Sequence, residues 1–145
     1  MGFSMEAVDN GRGILFAGRG ELNARAIIDA KRDLLADADR VRRLTFAIVS
    51  LLDVTTFNIT VAELRELAGV DEQIATLAPR VSVAIVAPSD HDYGVARMWE
   101  SIVDVPGWLT MVFRALPEAQ VWLRDTVAMQ ARLPDAGGTQ SAPPG

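Results

Sequence analysis

The sequence predicts one layered α/β domain with a mainly parallel sheet, and three features lead to that reading. Short apolar runs of strand length alternate with amphipathic stretches of helical period, the pattern of strand–helix–strand crossovers. The most apolar run opens LTFAIVSLLDVTTF (44–57); it is rich in β-branched residues and apolar on both alternating faces, as a central strand covered by helices on both sides would be. The length, 145 residues, suits a single domain with a real core.

Taken in order, residues 5–8 read as a first strand and Asp9-Asn10-Gly11 as a turn. Residues 13–17 are its hairpin partner, closed by Gly18-Arg19-Gly20. Gly13 to Gly18 has the spacing of a phosphate loop, but Arg19-Gly20 stands where Lys-Ser/Thr is required, so both Gly-Arg-Gly triplets are better read as turns. Asn23 is a good N-cap for a helix to about residue 37, with Ile27, Ile28, Leu34, Leu35 and Ala38 on its apolar face. Residues 37–43 form a charged connection into the central strand. Thr60 caps the second helix with Glu63 at the capping-box position. Val61, Leu64 and Ala68 are its buried face and Gly69 its end, followed by a short helix over 71–78 that Pro79 stops.

Residues 81–86 are the next buried strand, ended by Ala87-Pro88. Ser89 or Asp90 caps a helix carrying Val95, Met98, Trp99 and Ile102 on one face. After a turn at 104–107, residues 109–113 form the last strand. A final helix runs from Pro117, a favoured first-turn residue, to about residue 131, with Ala119, Trp122, Leu123 and Thr126 inward. The domain is expected over 1–133, and the Pro/Gly-rich tail over 134–145 is expected to be disordered.

Composition narrows the partners. The net charge of −5 disfavours nucleic acid and anionic membrane surfaces, which need a basic patch. Thirteen of the fourteen basic residues are arginine, and Lys31 is the one lysine. Without cysteine there is no disulfide, thiolate metal site or cysteine nucleophile. No apolar run approaches the roughly 18 residues of a membrane span. The opening MGFSME lacks the basic-then-apolar pattern of a signal peptide, and Glu6 stands where myristoylation wants Ser or Thr. A cytoplasmic protein is expected.

Little points to catalysis. His91, the one histidine, lies in Ser89-Asp90-His91-Asp92; a capped, exposed helix start is a better reading of it than a metal or acid/base site, since no second histidine completes a ligand set. No G-x-S-x-G elbow occurs. No catalytic residue, metal ligand or cofactor is expected. Met98, Trp99, Trp108 and Trp122 fit an apolar pocket less well than core packing, Trp108 least securely so.

The candidate site comes from topology. Asp53, Thr55, Thr56 and Phe57 are placed just past the carboxyl end of the central strand, and Ser89, Asp90 and Tyr93 past the next. In a parallel sheet both groups emerge on one edge, beside helix N-termini whose free N–H groups favour an anion. Asp53 and Asp90 offset that attraction; Arg97, one turn beyond Tyr93, restores it. Capping and loop solvation account for the same residues and are the simpler reading.

Two passages carry a resemblance. Gly20-Glu21-Leu22-Asn23-Ala24 resembles the G-E-L-D-x opening of STAS domains, the fold of sulfate-transporter tails and anti-sigma-factor antagonists, and Asp53-Val54-Thr55-Thr56-Phe57 resembles their Asp-x-x-x-Phe passage. The second half resembles the bacterial SpoIIAA-like proteins of unassigned function, through AIVAPSD (84–90), YGVARM (93–98), VFR (112–114) and EAQVWL (118–123). The match spans roughly residues 5–125. It implies a mixed, mostly parallel five-stranded sheet with helices packed mainly on one face, and no catalytic activity. In the antagonists a serine after the central strand is phosphorylated within D-S-S-G-L. That passage is absent here; Thr60 lies nearest by position, with Ile59 in place of the aspartate and Val61-Ala62 in place of Ser-Gly.

Two functions follow as expectations. The first is a non-catalytic regulatory module that binds a protein partner through the face formed by the second helix and the loop at 53–60, Thr60 included. The second is a carrier or sensor of a small apolar or anionic ligand near Phe57, Tyr93, Arg97, Met98 and Trp108, in line with the lipid-binding CRAL-TRIO domains that the superfamily touches. A homodimer through an exposed helix or the edge strand stays open.

Overall fold

The computed structural model describes residues 2–133, so the expected disordered tail lies outside the described residues. The element order is β1 (Gly2–Val8), a 3-10 turn (Asp9–Gly11), β2 (Gly13–Asn23), α1 (Ala24–Leu35), α2 (Ala38–Arg42), β3 (Phe46–Asn58), α3 (Val61–Leu77), β4 (Ser82–Val86), α4 (Asp90–Ile102), β5 (Leu109–Phe113) and α5 (Leu116–Arg132). The five strands lie in the order β1-β2-β3-β4-β5. β1 pairs antiparallel with β2, and every later pair is parallel.

Consecutive parallel neighbours joined by crossovers of one hand place every crossover helix on the same side of a sheet. Thus α1, α3 and α4 share one face over the main core, built on Ile14, Phe16, Ala47, Leu51, Val83 and Ile85. α5 packs on the opposite face, where Ala119 and Leu123 meet Ala84 and Val86 of β4. The helices are therefore mainly on one side. The central strand is not fully covered on both: α5 reaches Phe46 and Ile48, while Leu52 is 42% exposed. β4, covered above and below, is buried along its whole length.

Several boundaries differ from the sequence reading; β1 starts at Gly2, and α1 ends at Leu35 so that Ala38 belongs to the next helix. Gly18-Arg19-Gly20 does not close β2 but lies inside it, paired with β1 and β3. Residues 37–43 are more than a connection: they contain α2, capped by Asp37 Oδ1, which accepts from Arg40 N–H (3.2 Å), and anchored by the fully buried Val41. Gly69 does not end α3, which runs on to Leu77. A mid-helix glycine costs about 1 kcal/mol, less than is gained by keeping Val70, Ile74 and Ala75 buried on the stripe begun by Leu64, Leu67 and Ala68. Finally, β3 continues to Asn58, so Asp53, Thr55 and Thr56 lie within the strand rather than beyond it.

The reason for that long β3 is a pair of irregularities. Between Ala17 and Arg19 of β2, β3 advances from Ser50 to Asp53; between Gly20 and Glu21 it advances from Val54 to Thr56. Each is one extra β3 residue, and each reverses which face the next side chain takes. Leu51, Val54 and Phe57 consequently all point into the core although they stand three apart. Gly20 opposes the second irregularity with φ 63°, a left-handed conformation that glycine adopts without strain.

On the helical face, Glu66 of α3 accepts from both guanidinium nitrogens of Arg25 (3.1 and 3.0 Å) and from Arg32 (3.1 Å) on α1. The Arg25 hydrogen bond, above all, holds the Glu66 carboxyl below its ordinary range. What this bridge contributes is present at neutral pH and is lost as pH falls through that lowered value. Beneath α5, Ser82 is fully buried and its Oγ has no hydrogen-bond partner among the described residues. Ser82→Ala should therefore leave stability unchanged or raise it by up to about 1 kcal/mol in urea unfolding. A loss of similar size would mean that the hydroxyl is satisfied in solution.

Candidate functional site

β2 and β3 outrun the rest of the sheet. β4 is 5 residues long against 13 for β3, and its last pairing is Val86 with Ser50. β1 ends its pairing at Arg19 of β2. Beyond these points, among the described residues, β2 and β3 pair only with each other as a parallel ribbon, Gly20 with Val54 through Asn23 with Asn58. Its inner side is apolar, with Leu22 and Phe57 buried. Its outer side presents Thr55, Thr56 and Asn58, with Leu52 and Asp53 just before it on β3, all exposed.

Thr60 follows directly and caps α3. Its Oγ1 accepts from Glu63 N–H (3.1 Å), and Glu63 Oε1 accepts from Thr60 N–H (2.9 Å). The capping box predicted for this position is complete. Thr60→Ala should cost about 1 kcal/mol in chemical denaturation, as loss of an N-cap does; no change would show that the cap carries no weight. Val61, expected on the buried face, is instead 48% exposed, because the first residue of α3 lies ahead of the stripe that begins at Leu64. Two exposed aliphatic side chains, Leu52 and Val61, thus bracket the exposed threonines.

The second group lies at the start of α4. Ser89 is the cap, its Oγ accepting from Asp92 N–H (3.1 Å). Asp90 is not free: its Oδ1 accepts from Arg114 Nη1, and the same nitrogen donates to Pro88 O (3.3 Å). The Arg114 guanidinium also lies 4.2 Å from the centre of the Tyr93 ring, a cation–π contact. Arg97 Nε pairs with Glu100 (3.1 Å), turned away from the α4 start. The cation beside Asp90 and Tyr93 is therefore Arg114, not Arg97. His91 donates from Nε2 to Phe57 O (2.9 Å), tying the α4 start to the ribbon and fixing the Nε2–H tautomer. So the structure brings Phe57 to the α4 start through His91, and Asp90 to Tyr93 through Arg114. Thr55, Thr56 and Thr60 remain on the outer surface.

Of the side chains considered for a ligand, Met98 is 44% exposed. It leaves the α4 face because Asp92, Ala96 and Trp99 are the residues that turn inward. Trp108 is half-buried and donates from Nε1 to Ala78 O (2.8 Å). Phe57 and Trp108 each line a small, mostly apolar cavity, the first of about 50 Å³ and the second of about 30 Å³.

Between these cavities lies a charged group that the sequence reading missed. Lys31 of α1, 7% exposed, donates from Nζ to Asp71 Oδ1 of α3 (2.8 Å), and Asp71 is 1% exposed. Trp99 of α4 donates from Nε1 to Asp71 Oδ2 (2.7 Å). One residue from each helix of the covered face thus meets at its centre. The signal was present: Lys31 interrupts the stripe Ile27, Ile28, Leu34, and Asp71 interrupts Leu67, Ala68, Ile74. Opposite charges at core positions of two helices point to a buried pair. Ending α3 at Gly69 hid the second of them.

Among the described residues no helix is long and apolar enough to cross a membrane, and no three His, Cys, Asp or Glu side chains group as metal ligands. No family model matches the sequence, and no curated protein matches it. Solved structures do. The anti-sigma factor antagonist SpoIIAA in its unphosphorylated form is 18% identical, with 82% of this chain and 94% of that one covered and a TM-score of 0.50. The Bacillus cell fate determinant SpoIIAA in the phosphorylated form is also 18% identical, over 84% and 99%, with a TM-score of 0.50. An uncharacterized protein of the DUF3478 family with a SpoIIAA-like fold, from Shewanella loihica PV-4, is 16% identical over 83% and 91%, with a TM-score of 0.49. The element order, the mixed five-stranded sheet and the two SpoIIAA likenesses agree: the protein has the SpoIIAA-like, STAS-like fold.

Proposed function

We propose that this protein is a non-catalytic regulatory module that binds a protein partner through the outer side of the β2–β3 ribbon and the first turn of α3. The observation that carries this reading is the ribbon itself. Among the described residues it extends past both neighbouring strands, and Leu52 before it and Val61 in the first turn of α3, 42% and 48% exposed, flank Asp53, Thr55, Thr56 and Thr60. Exposed aliphatic side chains rimmed by small polar ones are the make-up of a binding patch rather than of a surface meant only for water. The fold adds support: one solved neighbour is an anti-sigma factor antagonist, a role exercised on another protein.

The partner is recognised here by an apolar contact set among short hydroxyl side chains. No phosphate is required for the surface to exist. Thr60 is the hydroxyl closest to the phosphorylated position of the antagonists, and its Oγ1 already serves the helix cap. A phosphate there would keep a favourable place at the helix N-terminus while adding negative charge to the patch, so it would regulate binding rather than the fold.

The test is comparative capture from host lysate with wild type, Leu52→Asp, Val61→Asp and, as a control on α5, Arg124→Glu. Wild type and the Arg124 variant should retain a common protein partner that both patch variants lose. Leu52 and Val61 are exposed, so the variants should fold with unchanged melting curves. An unchanged set of captured proteins across all four would overturn this assignment.

A further inference from the structure

We propose that β5 pairs antiparallel with β5 of a second copy of this chain across a two-fold axis at Met111, so that two five-stranded sheets continue into one. This surface lies at the β5 edge of the sheet, separate from the ribbon of β2 and β3.

The first observation is an unprotected edge. The sheet ends in β1 on one side and β5 on the other. β1 exposes Ser4, Glu6 and Ala7, and a charged side chain on an edge discourages pairing. β5 reads Leu109-Thr110-Met111-Val112-Phe113, with no charge, proline or glycine to deter it. Leu109 N–H donates to Val81 O and Phe113 O accepts from Ala87 N–H, so these residues face β4. By the alternation of a strand, the N–H and C=O of Thr110 and Val112 face outward, where no strand lies among the described residues.

The second is an apolar wall beside that edge. Leu109, Met111 and Phe113 are the cross-strand partners of Ser82, Ala84 and Val86 and share their face, the one α5 packs on. α5 covers it incompletely. Met111 and, on the flank of α5 toward β5, Met129 are 41% and 44% exposed. Trp122, two helical turns before Met129 and on the same flank, is half-buried against Phe113. Apolar side chains thus continue from the strand edge up the side of the helix, the make-up of a contact surface.

The third is self-complementarity, which selects a second copy as the occupant. α5 runs antiparallel to β5: Trp122 packs on Phe113 at one end, and Gln130 Nε2 donates to Gly107 O (3.3 Å) at the other. Residue 125 therefore stands about level with Met111. A two-fold axis there sets Trp122 beside Met129 of the second copy and Glu118 beside Arg132 of the second copy, both charged groups being exposed. The first is a sulfur–aromatic contact, the second an opposite-charge pair, and symmetry repeats each. Asp125, nearest its own copy, is 70% exposed and already paired with Arg124 (3.6 Å). On the other face of the sheet, Arg97 pairs with Glu100 (3.1 Å). In the strands, Thr110 exchanges backbone hydrogen bonds with Val112 of the second copy on either side of the axis. A wall about 25 Å long and about 20 Å high, one helix over one sheet, offers roughly 500 Å² from each copy. The total of about 1,000 Å² is the lower limit for a specific interface, so dimers should form at micromolar concentration.

The test is analytical ultracentrifugation of the full chain, joined to cysteine cross-linking. Wild type should show a monomer–dimer equilibrium with a dissociation constant on the order of 10 µM. Met111→Lys, which opposes two like charges at an already exposed position, should weaken it about tenfold or more. Glu118→Arg and Arg132→Glu should each weaken it roughly fivefold, and the double exchange should restore it. Leu52→Asp, on the partner surface, should leave it unchanged. The chain has no cysteine, so Met111→Cys supplies a single thiol. Residues opposed across a non-hydrogen-bonded antiparallel pair lie about 4.5 Å apart at Cα, within disulfide reach. Met111→Cys should therefore form a covalent dimer under mild oxidation, and Met98→Cys on α4, just as exposed, should not. A wild type that stays monomeric up to about 1 mM, a Met98→Cys that cross-links as fast as Met111→Cys, or a double exchange weaker than both single variants would each overturn the proposal.

Discussion

Asp71→Ala should cost roughly 3–5 kcal/mol in urea unfolding, because it strands the Lys31 ammonium in the core. Asp71 is 1% exposed and accepts from both Lys31 Nζ and Trp99 Nε1, so one substitution leaves a buried charge and a buried indole N–H without their acceptor. A domain of this size has about 5–15 kcal/mol of stability in all, so the variant should be close to unfolding. Removing both charges is different in kind. Lys31→Met/Asp71→Asn leaves no stranded ion and keeps an acceptor for Trp99, and it should recover most of the loss. The surface pair Arg25–Asp29, 3.9 Å apart and more than half exposed on both sides, provides the contrast: Asp29→Ala should cost no more than about 0.5 kcal/mol. If Asp71→Ala were as mild as Asp29→Ala, the triad would not be holding the three helices together.

Gly107→Ala should cost roughly 2–3 kcal/mol, the scale of a forced backbone shift. A Cβ at Gly107 would lie 2.0 Å from the backbone oxygen of Pro79, a contact that no side-chain rotation relieves. The position joins three segments: Trp108 Nε1 donates to Ala78 O (2.8 Å), and Gln130 Nε2 of α5 donates to Gly107 O (3.3 Å). Pushing the α4–β5 turn away from Pro79 therefore disturbs the entry to β4 and β5 and the end of α5 together. Gly69→Ala is the matched control. Its Cβ would meet nothing within 4 Å and it lies inside α3, so the same change should stabilise by up to about 1 kcal/mol. Opposite signs for these two variants, read from thermal unfolding, are the expected result; a tolerated Gly107→Ala would contradict the packing described.

Regular periodicity was legible and its interruptions were not. β4 and β5 are short runs with clean ends, and residue pattern placed both to within a residue. The capping box at Thr60 and the cap at Asn23 use local hydrogen bonds that depend on a few neighbouring side chains, so residue types alone reveal them. β3 failed at its far end because two extra residues turn an alternating pattern into one of period three at Leu51, Val54 and Phe57, which resembles neither a strand nor a helix. α3 was cut at Gly69 because a local propensity was weighed without the tertiary burial that outweighs it. Both errors affected the site. The first made Asp53, Thr55 and Thr56 look like a loop past a strand when they lead into and along the outer side of a ribbon. The second removed Asp71 from the helical stripe that would have paired it with Lys31. The partner of Asp90 was beyond reach for another reason: Arg114 comes 24 residues later, and only the folded sheet brings it to Tyr93.

The most direct measurement of the partner-binding claim is native mass spectrometry on protein purified gently from its host, wild type beside Leu52→Asp. The ribbon account predicts a complex with a different protein in the wild-type spectrum and none in the variant, with both chains folded. Such a complex that persists in Leu52→Asp, or a wild type that carries none, would contradict it.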